Sequence, residues 1–472
     1  TAYGLTTLDA VTTGDKNTAM GYGALGANTT GYNNTAIGHL AGLDITEGYQ
    51  NTLVGDRAGT NITTGDNNTA IGQNAMTAVT TQNRNTAVGM DALKLGTNDD
   101  CTAIGAFALA ANTNGADNTA VGAYALTANQ SGGSNVAIGF DALKSNTTGN
   151  RNIVLGNEAM DASDTESDNM AIGHAAMTAN NAGGVENIAI GNYSLDALTS
   201  GDGNVAVGYQ ALTSTDAGRH NVGVGYRTLY TTTGGDNNVA LGKEALFYNS
   251  GGDENIAIGN QALTTNVSGS SSIAIGANAL TSTTGSNNTA IGHNSGNGLT
   301  TGQTNVLIGY NTDTSANHVN NGICIGSDIT TEGNRFSFGK PSNVVYNDFG
   351  SNNSWTRSSD ERKKTNIQDA TLGLDFINDL RTITYKWKRS QDIPNTLADY
   401  DANTNHMNTD ITMHGMLAQE VKAALDTAGV TTFGGWAEES DGSQSLSQEM
   451  FIYPLIKAVQ ELSAKVKALE DA

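Results

Sequence analysis

The chain is written in short apolar runs that return at a fixed interval. The run Thr/Val-Ala-Ile/Val ends on a glycine, and that glycine falls at Gly4, Gly21, Gly38, Gly55, Gly72 and Gly89, a step of 17. It continues from Gly105 to Gly326 with steps of 16 to 18. Phe336-Ser337-Phe338-Gly339 is a degenerate last copy. A second apolar run, Ala-Leu-x-Ala, follows within each unit, as in Ala24-Leu25-Gly26-Ala27 and Ala125-Leu126-Thr127-Ala128. Turn-formers such as Thr63-Thr64-Gly65-Asp66-Asn67-Asn68 separate the runs. Runs of about four residues between Gly, Asn, Asp and Ser predict strands, and a short fixed period predicts stacked coils. Two strands and two turns per unit make one coil of a parallel β-solenoid of about twenty coils. At about 4.8 Å per coil the rod is on the order of 95 Å long.

Alternation gives each column of residues its own direction. The Ile/Val column (Ile37, Val54, Ile71, Val88, Ile104) is expected to fill the coil interior together with the Leu/Met column (Leu25, Met76, Leu93, Leu109). The Ala column (Ala36, Ala70, Ala87) is then left to face partner chains. Asn17, Asn34, Asn51, Asn68 and Asn85 open successive units and predict an amide ladder, interrupted by Cys101 and Ser272. In these repeats the head region resembles the left-handed parallel β-roll of trimeric autotransporter adhesins, which also occurs in phage fibres. The resemblance covers residues 1 to about 335 and implies a trimer.

Past Phe338 the pattern changes. All three prolines (Pro341, Pro394, Pro454) and all three tryptophans (Trp355, Trp387, Trp436) lie here. We divide the chain into a rod at 1–335, a connector at 336–357 and an α+β domain at 358–472. Leu372, Leu374, Ile377 and Leu380 predict a helix, Thr382–Trp387 a strand, 391–412 a loop and His414–Val421 the lead into a second helix. Ile452, Leu455, Val459, Leu462, Val466 and Leu469 step by 3 and 4 and predict a coiled-coil helix over about 450–471.

Composition narrows the function. With 23 basic and 46 acidic residues the chain carries a formal charge of −23, which disfavours nucleic acid and anionic lipid as partners. Cys101 and Cys324 lie too many coils apart for a disulfide. No apolar run is long enough to span a membrane, and no signal peptide is visible. Gly223-Val224-Gly225 lacks the strand–helix context of a dinucleotide site, and the Asp/Asn turns lack the nonapeptide pattern of calcium-binding repeats. No cofactor and no metal are expected.

The motifs Ser359-Asp360-Glu361-Arg362 with Lys364 and Ile367, then Leu374-x-x-Ile377-x-x-Leu380, Tyr385-x-Trp387, Gly415-x-x-Ala418-Gln419-Glu420-Val421 and Tyr453–Leu462 occur in this order. Together they resemble the S74 intramolecular chaperone that ends many phage tail fibres and tailspikes, endosialidases included. The resemblance implies a trimeric folding chaperone that cuts itself off in a single turnover. It assigns Ser359 as nucleophile and Lys364 as base, with Asp360 and His414 in support. A lysine can act as base when burial or neighbouring cations lower its pKa, and Arg362 and Lys363 are adjacent. The family pattern suggests the Ser359–Asp360 bond; the residues alone do not say which side is cut.

The expected function is a homotrimeric tail fibre on a virion, assembled in the host cytoplasm, whose partner is a host surface receptor such as a glycan or an outer-membrane component. The alternatives are a bacterial surface adhesin, which would need a membrane-anchoring barrel that 341–472 does not resemble, and a glycan-degrading tailspike, which would need a carboxylate pair in a cleft.

Overall fold

The computed structural model describes residues 1–180, 183–341, 343–349, 356–357, 361, 364–397, 400–405, 409–439 and 441–472. The chain forms two compact units, Thr1–Ser358 and Ser359–Ala472.

In the first unit each coil contributes one strand, three residues long in nearly every case, from Ala2–Tyr3 through Val306–Ile308 to Ile323–Gly326. Neighbours pair in parallel and in strict register, as in Thr35↔Thr52, Ala36↔Leu53 and Ile37↔Val54. In nearly every coil only this first run is a strand; near the end of the rod Asp313–Thr314 and Thr330–Thr331 add a second parallel pair. The expected second strand, Ala-Leu-x-Ala, is a succession of turns in which Leu25 (φ 51°), Leu93 (φ 47°) and Leu126 (φ 52°) sit in the left-handed region. It still bonds from coil to coil: Leu25 N donates to Ala41 O at 3.1 Å and Ala27 N to Leu43 O at 2.9 Å. Left-handed backbone costs roughly 1–2 kcal/mol per residue and is worst for β-branched side chains. That explains why this column is Leu, Met or Gly, while the buried Ile45, Ile62 and Val79 sit elsewhere in the turns, outside the left-handed positions.

The interior is the reverse of the expectation. Ala36, Ala70 and Ala87 are fully buried with Leu25 and Leu93, whereas Ile37, Ile71 and Ile104 are 38%, 39% and 40% exposed. The Ala column lines the coil, and the Ile/Val column points outward with Thr35 and Thr69. A coil of this size has room per layer for one long side chain and two methyls, so an inward Ile would overpack it. Exceptions keep the volume constant. Where the strand carries Leu53, the neighbouring turns carry Gly42 and Gly59, at which a Cβ would meet the Leu53 methyls at 2.6 and 2.7 Å. Where the strand carries Gly223, Thr228 replaces the usual turn alanine and is fully buried.

The Asn ladder is present, and it serves the backbone more than itself. Asn34 N donates to Asn17 Oδ1 at 2.9 Å, and Asn34 Nδ2 donates to Gly48 O at 2.7 Å. At its interruptions Cys101 N and Ser272 N still donate to the preceding amide, at 2.9 and 3.0 Å. A second ladder, not anticipated, runs through Asn112, Asn129 and Asn146, with Nδ2–Oδ1 bonds of 2.8 and 2.7 Å. One coil on, Ser163 and Glu166 take over: the buried Glu166 carboxylate accepts from Ser163 Oγ and Asp164 N at 2.8 Å and from Gly183 N at 2.9 Å. Four such donors make burial of a charge tolerable. The strand-ending glycine admits no substitute. At Gly72, φ is 135° and a Cβ would lie 2.5 Å from Gly89 O.

The degenerate copy closes the parallel stack, with Arg335–Lys340 continuing the register from Ile323↔Phe336 to Gly326↔Gly339. The chain then reverses. Asn343–Asp348 pairs antiparallel with Arg335–Lys340, and Thr356–Arg357 pairs antiparallel with Asn343–Asp348. This hairpin covers the last open edge of the stack. Arg335 secures it, 2.9 Å from Glu332 and over the Tyr346 ring.

The second unit holds helices α1 (Leu374–Asp379), α2 (Ala418–Thr427) and α3 (Ile452–Glu470). Two antiparallel ribbons join them, Ile383–Tyr385 with Met413–Gly415 and Trp436–Glu438 with Gln444–Leu446. Leu372, Phe376, Val421, Leu425 and Phe451 form the core, with Phe433 and Trp436 packed against it. Among the described residues of 391–412 there is no strand, as the polar composition predicts.

Candidate functional site

Two parts of the molecule are candidates: the segment around Lys364 with its supporting domain, and the outer face of the rod. Ser359 and Asp360 lie outside the described residues, as do Arg362 and Lys363. Lys364 is exposed, its backbone N–H donating to Glu361 O at 2.9 Å. Asn366, two residues on, takes φ 53°, a left-handed bend that Asn tolerates.

The other motifs of the terminal unit are joined by specific contacts. Arg381, just past α1, makes a two-point ion pair with Glu420 of the Gln-Glu-Val motif, its Nε 3.1 Å from Oε2 and its Nη2 2.5 Å from Oε1. The guanidinium holds the Glu420 carboxyl below its ordinary range. Glu461 of α3 accepts a hydrogen bond from Leu374 N at 2.8 Å, so the long helix caps the start of α1. Gly373 makes room for it, since a Cβ there would lie 2.5 Å from the Glu461 oxygens. The spacing of apolar residues found both helices, but neither contact was visible in it.

His414 sits on the strand Met413–Gly415 opposite Thr384 and is exposed. It borders an open cavity of about 610 Å³ that also touches Thr384, Met416 and Gln448. Beside it a second cavity of about 510 Å³ is lined by Tyr385, Trp387, Leu417 and Leu446. Trp387 is 45% exposed there, with its ring 5.3 Å from that of Tyr385 and perpendicular to it. The Tyr-x-Trp pair served only as a motif in the sequence; the structure makes it the wall of a groove.

The heptad seam of α3 is uncovered. Leu455, Val459, Leu462 and Val466 are 47% to 58% exposed, while Pro454 and Ala458 turn toward the domain. The rod shows a comparable face. From Val136–Ile138 to Ile273–Ile275, nine successive strands carry apolar residues at both outward positions. In the seven strands from Thr18–Met20 to Thr119–Val121, one of those positions is threonine.

Neither cysteine offers chemistry. Both are buried and free, and burial pushes the Cys324 thiol up to about 12. Among the described residues no cluster of His, Cys, Asp and Glu could hold a metal ion, and no helix is long and apolar enough to cross a membrane.

No curated protein matches the chain. The family model for the chaperone of endosialidase, the S74 peptidase family, matches residues 359–430. The match begins at Ser359, where the second compact unit begins, and it spans α1, the first ribbon and α2. Behind a β-solenoid of about twenty turns, the chain carries a chaperone-of-endosialidase domain.

Proposed function

We propose that this chain is a homotrimeric tail fibre of a phage-type particle, involved in host attachment. Its terminal domain directs trimer folding and then cuts the chain at Ser359, with Lys364 as the base. One observation carries the reading: a long parallel solenoid is followed by a chaperone-of-endosialidase domain. A solenoid of this kind is built from non-local pairings that form slowly, and a self-associating domain at its end brings chains into register first.

Two exposed surfaces support the trimer. The α3 seam has the heptad pattern of a short parallel coiled coil. The outward face of the rod is apolar at both positions over nine successive strands, a stripe that monomeric proteins rarely leave open. The subunits of a left-handed β-roll trimer would meet across this stripe, not across the alanines, which are already inside the coil.

The cleavage is a single turnover. The Ser359 hydroxyl adds to the carbonyl of the scissile peptide bond as Lys364 takes its proton; the C–N bond then breaks, Lys364 passes that proton to the departing amine, and water hydrolyses the resulting ester to free the serine. On a denaturing gel the wild type should yield a product shortened by the terminal domain, cut beside Ser359, and Ser359→Ala and Lys364→Ala should each leave the full-length band. A wild type that stays full length under assembly conditions sinks the peptidase role.

A further inference from the structure

Seven aromatic side chains of the rod, scattered when read along the sequence, gather into one track on five consecutive coils. His174 and Tyr193 have ring centroids 5.2 Å apart, Tyr193 and Tyr209 6.0 Å, and Tyr209 and Tyr226 5.7 Å. The Arg227 guanidinium then lies over two rings at once, 5.3 Å from Tyr226 and 5.2 Å from Tyr230. Tyr230 stacks on Phe247 at 4.9 Å, and Tyr248 finishes the track at 4.5 Å from Phe247. Tyr209 and Tyr226 follow the strand-ending glycine, so they stand in a different column from the apolar stripe.

Three features point to a ligand. The rings are open: Tyr209, Tyr226 and Tyr248 are 43%, 41% and 47% exposed. Arg227 is held in place, its Nε donating to Gln210 Oε1 at 2.8 Å, yet it has no carboxylate within 4 Å among the described residues, unlike Arg84, Arg151 and Arg219 on the same rod. Its remaining N–H groups are therefore fixed donors without an anionic partner. Glu244, whose backbone N–H donates to Tyr226 O at 2.9 Å, is also fixed from coil to coil, its Oε2 accepting from Gln261 Nε2 at 2.8 Å.

We infer that this track binds a linear, neutral glycan lying along the fibre axis. Pyranose rings offer C–H groups to the exposed tyrosines and hydroxyls to Arg227, and the ring-to-ring spacing of 5.2 to 6.0 Å from His174 to Tyr226 suits a chain of sugars. A polyanionic glycan is disfavoured by the formal charge of −23. Aromatic side chains fixed on a rigid scaffold lose little entropy on binding.

This site presupposes the attachment role proposed above, and the two can fail separately. The full-length assembled protein is applied to an array of neutral and acidic bacterial surface polysaccharides. Wild type should retain a neutral polysaccharide, while Tyr209→Ala, Tyr226→Ala and Arg227→Ser should each weaken retention at least tenfold. Tyr32→Ala, in the stacked Tyr32–Tyr49 pair outside the track, should not. Thermal melting shows that each variant is folded; should a tyrosine variant melt early, Arg227→Ser decides. No retained glycan, acidic glycans only, or retention unchanged in the track variants overturns the inference. Adsorption to bacterial cells tests the role itself. Cells bound equally by wild type and variants leave attachment standing without the track, and array binding without adsorption to any cell leaves the track without attachment.

Discussion

The rod and the terminal unit stay folded by different means. In the rod every residue answers to the coil above and the coil below, in the same register throughout. Its stability is a sum of near-identical interfaces, and its core is assembled from small units. The terminal unit has one core around Phe376 and Phe451 and is tied by single contacts between distant segments, such as Glu461 to Leu374 and Arg381 to Glu420. A repeated structure tolerates variation that preserves the column; a single-core domain tolerates it at positions outside those few ties. The difference also fits the order of folding proposed here, with the compact unit organising the long one.

The comparison can be broken first at the glycine column. Gly72→Ala places a methyl against the next coil's carbonyl at a φ reserved for glycine, and should cost on the order of 3 kcal/mol. Hydrogen exchange should show protection lost in the adjoining coils while the terminal unit keeps its own. Equal loss in both units would mean that the two are not independent.

Next comes the direction of the strand faces. Ala137→Ile adds bulk to a filled interior and should destabilise the rod by about 1–3 kcal/mol. Ile138→Ala, one residue later, removes an outward side chain that is 37% exposed. It should leave the coil's own stability nearly unchanged and lower only the concentration-dependent part of the melting temperature. Denaturant melts at several protein concentrations separate the two; a larger effect at Ile138 in dilute protein would return the interior to the Ile column.

The smallest effect is a pH dependence. Burial raises the Asp196 carboxyl to about 6, and one of its oxygens is buried without a hydrogen bond. A raised carboxyl binds its proton more tightly in the folded state, so it favours folding below its unfolded value near 4. That contribution is lost as pH rises through 6. Asp196→Asn should therefore melt higher than wild type at pH 7, and the gap should close below pH 4. Glu166 runs the other way: burial pushes it up, but the bonds from Ser163, Thr165 and Gly183 outweigh that and lower it. Its contribution is present at neutral pH and fades on acidification.

Much of the rod was legible because the glycine column leaves no choice of residue, so the period survives every other substitution. The facing of the strand was not legible. Alternation says that Ala36 and Ile37 point opposite ways but not which way is in, and a shift of one residue exchanges the faces. Size settles it: a thin coil admits the methyl and excludes the Ile. The second run misled for a related reason, since left-handed residues at alternate positions, such as Asp91 and Leu93, imitate the period of a strand. In the terminal unit, motifs fixed the order of segments. The bond from Glu461 to Leu374 crosses 87 residues, and no spacing rule reaches that far.

The strict register of the stack has a consequence for how such a chain changes over generations. Each coil presents the same upper and lower face, so removing or duplicating one whole unit joins surfaces that already fit. Unequal exchange between neighbouring repeats of the gene would then yield rods that differ in length but not in fold. Length becomes a quantity that selection can adjust in single steps, while the terminal unit is left untouched.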